Sequence, residues 1–217
     1  MKNAETPVVK VVLYGAMSSL GSALMAEMLR RQHEVIAILD ELTALAPRPG
    51  LRTKTGDLFD AERVKQSVAG CSAVICLLDA PGLPFNSEHV ERSIVPGPVE
   101  QVLAVDALVD GLQAAGISRL FLVGDFELLD DPEIEDQLQR HAAEEIREAL
   151  QSSPLQWTLV NAPHGVAGLT IEHFSQVGGN LEPGLAEPLE RLNRVAVGIA
   201  DELRLKLHVG EHVNFVA

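Results

Sequence analysis

The sequence predicts a three-layer α/β fold in which helices cover both faces of a doubly wound, mainly parallel sheet. Strand-like and helix-like segments alternate along the chain, which is typical of right-handed crossovers between parallel strands. Some of the strand-like segments, such as Ala73–Leu78, are continuously apolar, and such strands are typical of a sheet that is buried on both faces. In addition, a glycine-containing turn follows the first strand and opens a helical segment.

Hydrophobic patterning places the individual elements. The predicted strands are Val8–Leu13, Glu34–Leu39, Leu51–Thr55, Ala73–Leu78, Leu120–Val123 and Gln156–Val160. The predicted helices are Leu20–Arg31, Ala61–Val68, Val99–Ala115 and Glu133–Leu150. Two stretches rich in proline and glycine, Ala80–Pro98 and Asn161–Pro188, leave the carboxyl ends of strands, where open α/β sheets bind ligands. We expect these stretches to be either walls of a binding site or surface segments and subunit contacts.

Composition limits the class of protein. A chain of 217 residues that is 47% apolar predicts one domain over residues 1–217, with an inserted loop at 80–98 and a small C-terminal substrate-side region at 161–217. The formal charge of −14 argues against nucleic acid and acidic membrane surfaces as partners. We find no signal peptide or membrane span, and Cys76 lies in an apolar strand as expected of a reduced thiol. These features predict a cytoplasmic protein.

The segment Gly15-Ala-Met-Ser-Ser-Leu-Gly21 predicts a phosphate cradle. The first glycine permits a sharp turn, the start of the helix presents free N–H groups, and the last glycine lets helix and sheet pack closely. Ser18 stands where a middle glycine is typical, so we expect the backbone to approach a pyrophosphate less freely. The residues predicted to hold the phosphates are Gly15, Met17, Ser18, Ser19, Leu20 and Gly21.

Two acidic residues follow the next strands of the sheet. Asp40, nineteen positions after Gly21, could accept hydrogen bonds from the adenosine ribose hydroxyls, and its charge would repel a 2′-phosphate. The alternative is an ordinary exposed carboxylate. Asp57, followed by Leu58, could contact the adenine ring or could be a turn residue, and Asp60 would cap the next helix. NAD(H) is therefore expected to be favoured over NADP(H).

Candidate catalytic residues are few. Tyr14 is the only tyrosine, it lies in the first strand, and no lysine follows a tyrosine by four positions, which excludes a Tyr-x-x-x-Lys proton-donor pair. His164 follows the sixth strand and could donate a hydrogen bond or a proton to a substrate, although a solvated loop histidine is the alternative. The seven histidines show no metal-ligand spacing, so no metal site is predicted.

In order and spacing, several segments resemble atypical short-chain dehydrogenases of the NmrA-like group, close to the flavin reductase/biliverdin-IXβ reductase type. The resemblance covers most of residues 8–165. It rests on Lys10–Gly15, Gly21, His33-Glu-Val35, Gly56-Asp57, Val68–Ile75, Ala115–Leu120, Leu155–Val160 with Pro163-His164, and a C-terminal helix at Asn193–Leu203 before His212–Ala217. It implies NAD(P)H-dependent hydride transfer to a flavin-like acceptor, with Leu78, Asp79, Gly124 and Asp125 beside the nicotinamide and His164 as the site histidine.

The departures from this resemblance leave two interpretations open. Met17 and Ser18 replace a threonine and a glycine, Asp40 replaces a basic residue, and Asp79 and Asp125 replace small residues near the expected cofactor. The first interpretation is an NADH-preferring oxidoreductase that acts on a flavin-like or small aromatic molecule. The second is a catalytically degenerate scaffold that serves as a nucleotide sensor or protein-interaction module. In either case we expect a small-molecule ligand, while the sequence leaves open whether the chain forms a homodimer.

Overall fold

The computed structural model describes residues 8–81, 83, 95–131, 136–163, 165–175 and 184–215. In the described part of the chain, seven parallel strands form one sheet in the order β3-β2-β1-β4-β5-β6-β7. The strands are β1 (Lys10–Tyr14), β2 (Glu34–Leu39), β3 (Leu51–Thr55), β4 (Ala73–Leu77), β5 (Arg119–Gly124), β6 (Gln156–Asn161) and β7 (Glu211–Val213). The predicted doubly wound parallel α/β sheet is confirmed.

Helices connect these strands and cover the sheet. They are α1 (Ser19–Arg30), α2 (Ala61–Val68), α3 (Pro98–Ala115), α4 (Gln137–Ser152), α5 (Ile171–Ser175) and α6 (Ala186–Leu205). Short 3₁₀ turns occur at Leu42–Ala44 and Glu127–Leu129. The predicted bounds of β2, β3 and α2 are confirmed. The predicted start of the fourth helix at Glu133 lies outside the described residues.

The C-terminal third of the chain is more regular than the sequence predicted. The short helix α5 lies inside the stretch expected to be irregular, and α6 begins at Ala186 rather than at Asn193. The strand β7 was not predicted. It pairs with β6 in parallel, with His212 opposite Leu159, and two hydrogen bonds fix the segment before it: Thr158 Oγ1 donates to His208 O at 2.7 Å, and Gly210 N donates to Trp157 O at 2.7 Å.

The strand order places a ligand-binding crevice at one position on the sheet. From β1 the chain crosses to β2 and β3 on one side, then returns to β4 on the other side. The loops that leave β1 and β4 therefore diverge, and the carboxyl edge between these strands stays open. Buried side chains from β1 and β4, among them Leu13, Tyr14 and Ile75, form the core beneath that edge.

Two further properties concern the chain as a whole. Cys71 and Cys76 are both buried and free, which agrees with the prediction of a reduced thiol at Cys76. Among the described helices, none combines the length and the apolar character that crossing a bilayer requires.

Candidate functional site

The turn between β1 and α1 requires glycine at both of its ends. Gly15 has φ +85°, and a Cβ there would lie 2.6 Å from the Cβ of Ala80. A Cβ on Gly21 would lie 2.3 Å from the carbonyl oxygen of Gly15 and 2.8 Å from the backbone of Ala16. Because most of these neighbours are backbone atoms or short side chains, they cannot move aside. The two glycines therefore keep the chain in a tight turn with α1 directly above the strand.

Ser18 begins helix α1 as its N-cap residue. Its Oγ donates to the carbonyl of Gly15 and accepts from the N–H of Gly21, both at 2.9 Å. Its backbone is extended (φ −77°, ψ 166°), so conformation does not require glycine here. The helix geometry leaves the N–H groups of Ser19 and Leu20 without an intrahelical acceptor, and both residues line the cleft. The expectation that Ser18 lets the backbone approach a pyrophosphate less freely than glycine would stays a prediction.

The capping role of Ser18 can be measured as stability. Ser18→Ala is expected to lower the free energy of unfolding by about 1 kcal/mol, because the N–H of Gly21 loses its acceptor. For a chain of this length that corresponds to a fall of about 2–4 °C in the melting temperature. Ser18→Asn is the matched control, since asparagine caps helices as well as serine does. An equal fall in both variants would contradict the capping role.

A cleft of about 980 Å³ opens at the carboxyl edge of the sheet, directly beside this turn. The start of α1 forms one side, the ends of β4, β5 and β6 form the floor, and the segments after β4 and β6 form further walls. Its described lining residues include Met17, Ser18, Ser19, Leu20, Asp79, Gln101, Asp125, Asn161 and Arg191. Parts of both irregular stretches, among them Pro81 and Val95 from the first and Val166 from the second, also line the cleft.

The segment after β6 is attached to the start of α1. The N–H of Val166 donates to Ser19 Oγ at 3.2 Å, and a Cβ on Gly165 would lie 3.4 Å from the same oxygen. This contact uses the side chain of Ser19 and leaves its backbone N–H available. The wall formed by residues 165–169 therefore stands next to the phosphate cradle.

Asp79 lies in the cleft at the end of β4, in a setting that disfavours its charge. Burial, together with the negative charge of Asp125, raises the pKa of Asp79 to about 6. Two hydrogen bonds oppose this rise, one from the backbone N–H of Asp125 and one from Gln101 Nε2 to Asp79 Oδ1 at 3.1 Å. Gln101 is buried on α3 and also accepts from Gln139 Nε2 at 3.2 Å. The carboxyl group of Asp79 is therefore held in place and can change charge near neutral pH.

The cleft as a whole is acidic. Asp125, Glu127 and Asp136 line it together with Asp79, and Arg191 is the only basic side chain among its described lining residues. Arg191 also pairs with Glu187 at 2.8 Å. No group of three or more His, Cys, Asp or Glu side chains in the described residues is arranged to hold a metal ion.

The other predicted site residues fall into two groups: acidic residues in the segments that follow strands, and buried residues whose side chains do not reach a ligand. Asp40 is exposed after the end of β2. Asp57 lies two residues after β3, in a turn where its Oδ1 accepts from Phe59 N at 2.9 Å. Asp60 caps α2 as expected. The side chains of Leu58 and Leu78 are buried in the core, so only their backbone could face a ligand. Gly124 is buried at the end of β5, and a Cβ there would lie 3.6 Å from Asp79 Oδ2.

His164, the predicted catalytic residue, lies outside the described residues. The structure adds residues that the sequence analysis missed, namely Gln101 beside Asp79, and Asn161 with its neighbour His212. Asn161 directly follows an apolar strand, and that position was a signal that could have identified it. Gln101 and His212 come from distant parts of the chain, and no local pattern marked them.

The chain belongs to the NAD(P)H-binding family, whose model matches residues 15–173. No curated protein matches it in sequence. Among solved structures, a Burkholderia pseudomallei protein provisionally described as exported has 21% identity and a TM-score of 0.65, covering 95% of this chain and 98% of its own. A Bacteroides thetaiotaomicron protein provisionally described as an epimerase has 20% identity and a TM-score of 0.65, covering 96% of both chains. At this level of identity the likeness shows the fold.

A third similar structure was solved with a nucleotide bound. The enzyme WbmH from Bordetella bronchiseptica, in complex with NAD⁺, has 14% identity and a TM-score of 0.61, and the match covers 96% of this chain and 76% of WbmH. The glycine turn, the open N–H groups of α1 and the crevice at the switch of strand order fit the binding of such a dinucleotide.

Proposed function

We propose that this protein is an NADH-preferring oxidoreductase of the NmrA-like group that passes hydride to a flat, uncharged acceptor such as a flavin. The observation that carries the proposal is the cradle at Gly15 and Gly21, where a Cβ cannot fit, opening directly into the cleft of about 980 Å³. A cytoplasmic location and a small-molecule substrate remain part of the proposal.

The chain's own residues would hold the dinucleotide in two halves. The N–H groups of Ser19 and Leu20 would donate to the pyrophosphate at the positive end of α1. Asp40 would accept from the adenosine ribose, while Gly124 and Asp125, at the carboxyl end of β5, would lie beside the nicotinamide half. The bound dinucleotide supplies the hydride. The acceptor also needs one proton, which His164 or solvent would deliver.

Asp40 carries the proposed preference for NADH. A 2′-phosphate beside this carboxylate would meet repulsion and would lose the ribose hydrogen bonds. The purified protein is therefore expected to bind NADH more tightly than NADPH in fluorescence titrations, and Asp40→Arg should narrow or reverse the ratio of the two dissociation constants. Asp60→Asn is the matched control, because it alters an acidic residue in another turn. Tighter binding of NADPH by the unmodified protein would contradict this preference.

The charge of the cleft supports an uncharged acceptor. Four carboxylates against one arginine would repel a phosphorylated or dicarboxylate substrate in a partly dry site. Within the flavin class, riboflavin is therefore expected to be a better acceptor than its monophosphate. The ribose and pyrophosphate of the dinucleotide would occupy the α1 side, and the flat ring of the acceptor would stack over the nicotinamide.

The decisive experiment follows NADH oxidation with riboflavin as the acceptor. Asp125→Ser is expected to raise kcat/KM about tenfold, because it removes an exposed charge beside the nicotinamide, and relief of about 1.4 kcal/mol corresponds to that factor. Glu127→Gln also removes a charge at the rim of the cleft and is the matched control, with a smaller expected gain. If neither the native protein nor Asp125→Ser binds NADH or turns over, the oxidoreductase proposal fails.

The second candidate function is a degenerate scaffold that senses nucleotide without hydride transfer. The specific observation in its favour is that Asp79 and Asp125 both line the part of the cleft that would receive the nicotinamide. Binding of NADH without turnover in either protein, together with equal binding of ADP-ribose, would favour the scaffold. Turnover that rises in Asp125→Ser would favour the enzyme.

A further inference from the structure

Asn161 places an amide group in the floor of the cleft. The residue ends β6 and is only 4% exposed, yet it lines the cleft beside Ala162. Its Oδ1 lies 2.8 Å from Nε2 of His212. In the described part of the structure no acceptor takes its Nδ2 group. Nδ2 is not one of the fully buried polar atoms that lack a partner in the described residues, so it borders the cleft, where water or a ligand can accept its hydrogen bond.

His212 reaches Asn161 from the neighbouring strand β7. Its other ring nitrogen, Nδ1, lies 3.3 Å from Oδ1 of Asp130, and the side chain is 14% exposed. The ring also meets the buried Phe126 edge-on, with the centroids 6.2 Å apart. The imidazole therefore has neighbours on three sides. A proton on Nε2 lets the ring donate to Asn161 Oδ1, with Nδ2 of the amide turned away from His212, whereas Nδ1 donates to Asp130 as well only when the ring carries both protons.

We propose that Asn161 is a ligand-binding residue of the cleft and that His212, held by Asp130, is its positioning residue. The inference rests on the proposed dinucleotide function. An N–H donor at the end of β6, which pairs with the strand end just before Asp125, suits a neutral oxygen, because a charged group at this position would meet that carboxylate. The ligand atom is therefore a carbonyl oxygen, either in the carboxamide of nicotinamide or on the ring of the acceptor.

Three ligands separate these two sources. NADH carries the nicotinamide with its carboxamide, ADP-ribose lacks the whole nicotinamide ring, and riboflavin carries the carbonyls of its own ring. Dissociation constants are measured by fluorescence titration for the native protein and for Asn161→Ala, Asn161→Asp, His212→Leu and His212→Gln. His208→Gln is the matched control, because the ring of His208 is also partly buried and contacts a carboxylate, Glu202, but packs against Phe215 rather than Asn161. Thermal unfolding of every variant shows which of them are folded.

Asn161→Ala is expected to lower the affinity for NADH or for riboflavin about 3- to 10-fold, which is the effect of one lost neutral hydrogen bond. The affinity for ADP-ribose should stay within about 2-fold of the native value. If Asn161→Ala loses affinity for NADH, the ligand of Asn161 is the nicotinamide carboxamide. If it loses affinity for riboflavin, the ligand is a ring carbonyl of the acceptor. Asn161→Asp should weaken the same ligand at least as much, although it keeps the acceptor for His212, whereas a purely structural residue would tolerate it. His212→Leu should reproduce part of the loss, and His212→Gln, which keeps an N–H donor, should restore it.

The outcomes that overturn the inference differ from those that overturn the proposed function. Unchanged affinities for NADH and riboflavin in Asn161→Ala, or an equal loss of ADP-ribose, remove Asn161 from the ligand site. If His212→Leu and His212→Gln bind NADH and riboflavin as tightly as the native protein does, His212 is not a positioning residue for Asn161. If the native protein binds neither NADH nor NADPH, the proposed function fails before any variant is compared, and the inference fails with it.

Discussion

Gly21→Ala is expected to lower the affinity for NADH by about 10²-fold or more. The added Cβ would lie 2.3 Å from the carbonyl oxygen of Gly15, so helix α1 must move away from the turn. The N–H groups of Ser19 and Leu20 would then lose their alignment with the pyrophosphate. Two charge-assisted hydrogen bonds at about 1.5 kcal/mol each give a loss of that size.

The control separates loss of binding from loss of stability. Gly111 is another helical glycine, on α3, and a Cβ there would lie 2.6 Å from Val64 and 2.8 Å from the carbonyl of Ala61. Both Gly21→Ala and Gly111→Ala are expected to lower the free energy of unfolding by about 1–3 kcal/mol through overpacking. Only Gly21→Ala should lose NADH in a titration of the folded protein. Equal affinities in the two variants would show that the turn does not form the nucleotide site.

The part of the fold that the sequence predicted depends on local patterns. The strand β1, the glycine turn and the start of α1 are consecutive, so their residue types signal the structure directly. The bounds of β2 followed from an apolar run, and the start of α2 from the capping Asp60. The strand β7 gave no such signal, because it has three residues, is half-exposed and depends on hydrogen bonds with the distant β6.

The resemblance to the NmrA-like group placed Asp79 and Asp125 beside the expected nicotinamide, and in the structure both line the cleft. The sequence carried no signal for the contacts around them. It could not show Gln101, which reaches Asp79 from α3 across 22 positions of the chain. Nor could it show His212, which is 51 positions from Asn161. These contacts arise only when the folded chain brings distant segments together.

Asp79→Asn is expected to stabilise the protein above pH 6 and to remove a pH-dependent step from NADH binding. Folding raises the pKa of Asp79 from 3.8 to about 6, so the folded protein holds this proton more tightly than the unfolded chain does. The resulting penalty is absent below about pH 4, grows between pH 4 and pH 6, and is complete above pH 6, where it reaches up to about 3 kcal/mol. Asparagine stays neutral throughout. The substitution also weakens the hydrogen bond from the N–H of Asp125, which costs about 1 kcal/mol. The net increase in the free energy of unfolding is therefore about 1–2 kcal/mol at pH 8.

The same charge governs the nucleotide, since ionised Asp79 would face a ligand that already carries two phosphates. NADH affinity of the native protein is expected to fall as pH rises from 5 to 7, and the affinity of Asp79→Asn should vary less over that range. Asp125→Asn tests the cause, because removing the neighbouring charge lowers the pKa of Asp79 and should move the step to lower pH. Titrations and melting temperatures at pH 5, 6, 7 and 8 measure both effects. If Asp79→Asn follows the native pH profile in binding and in stability, Asp79 is not the group that titrates in the cleft.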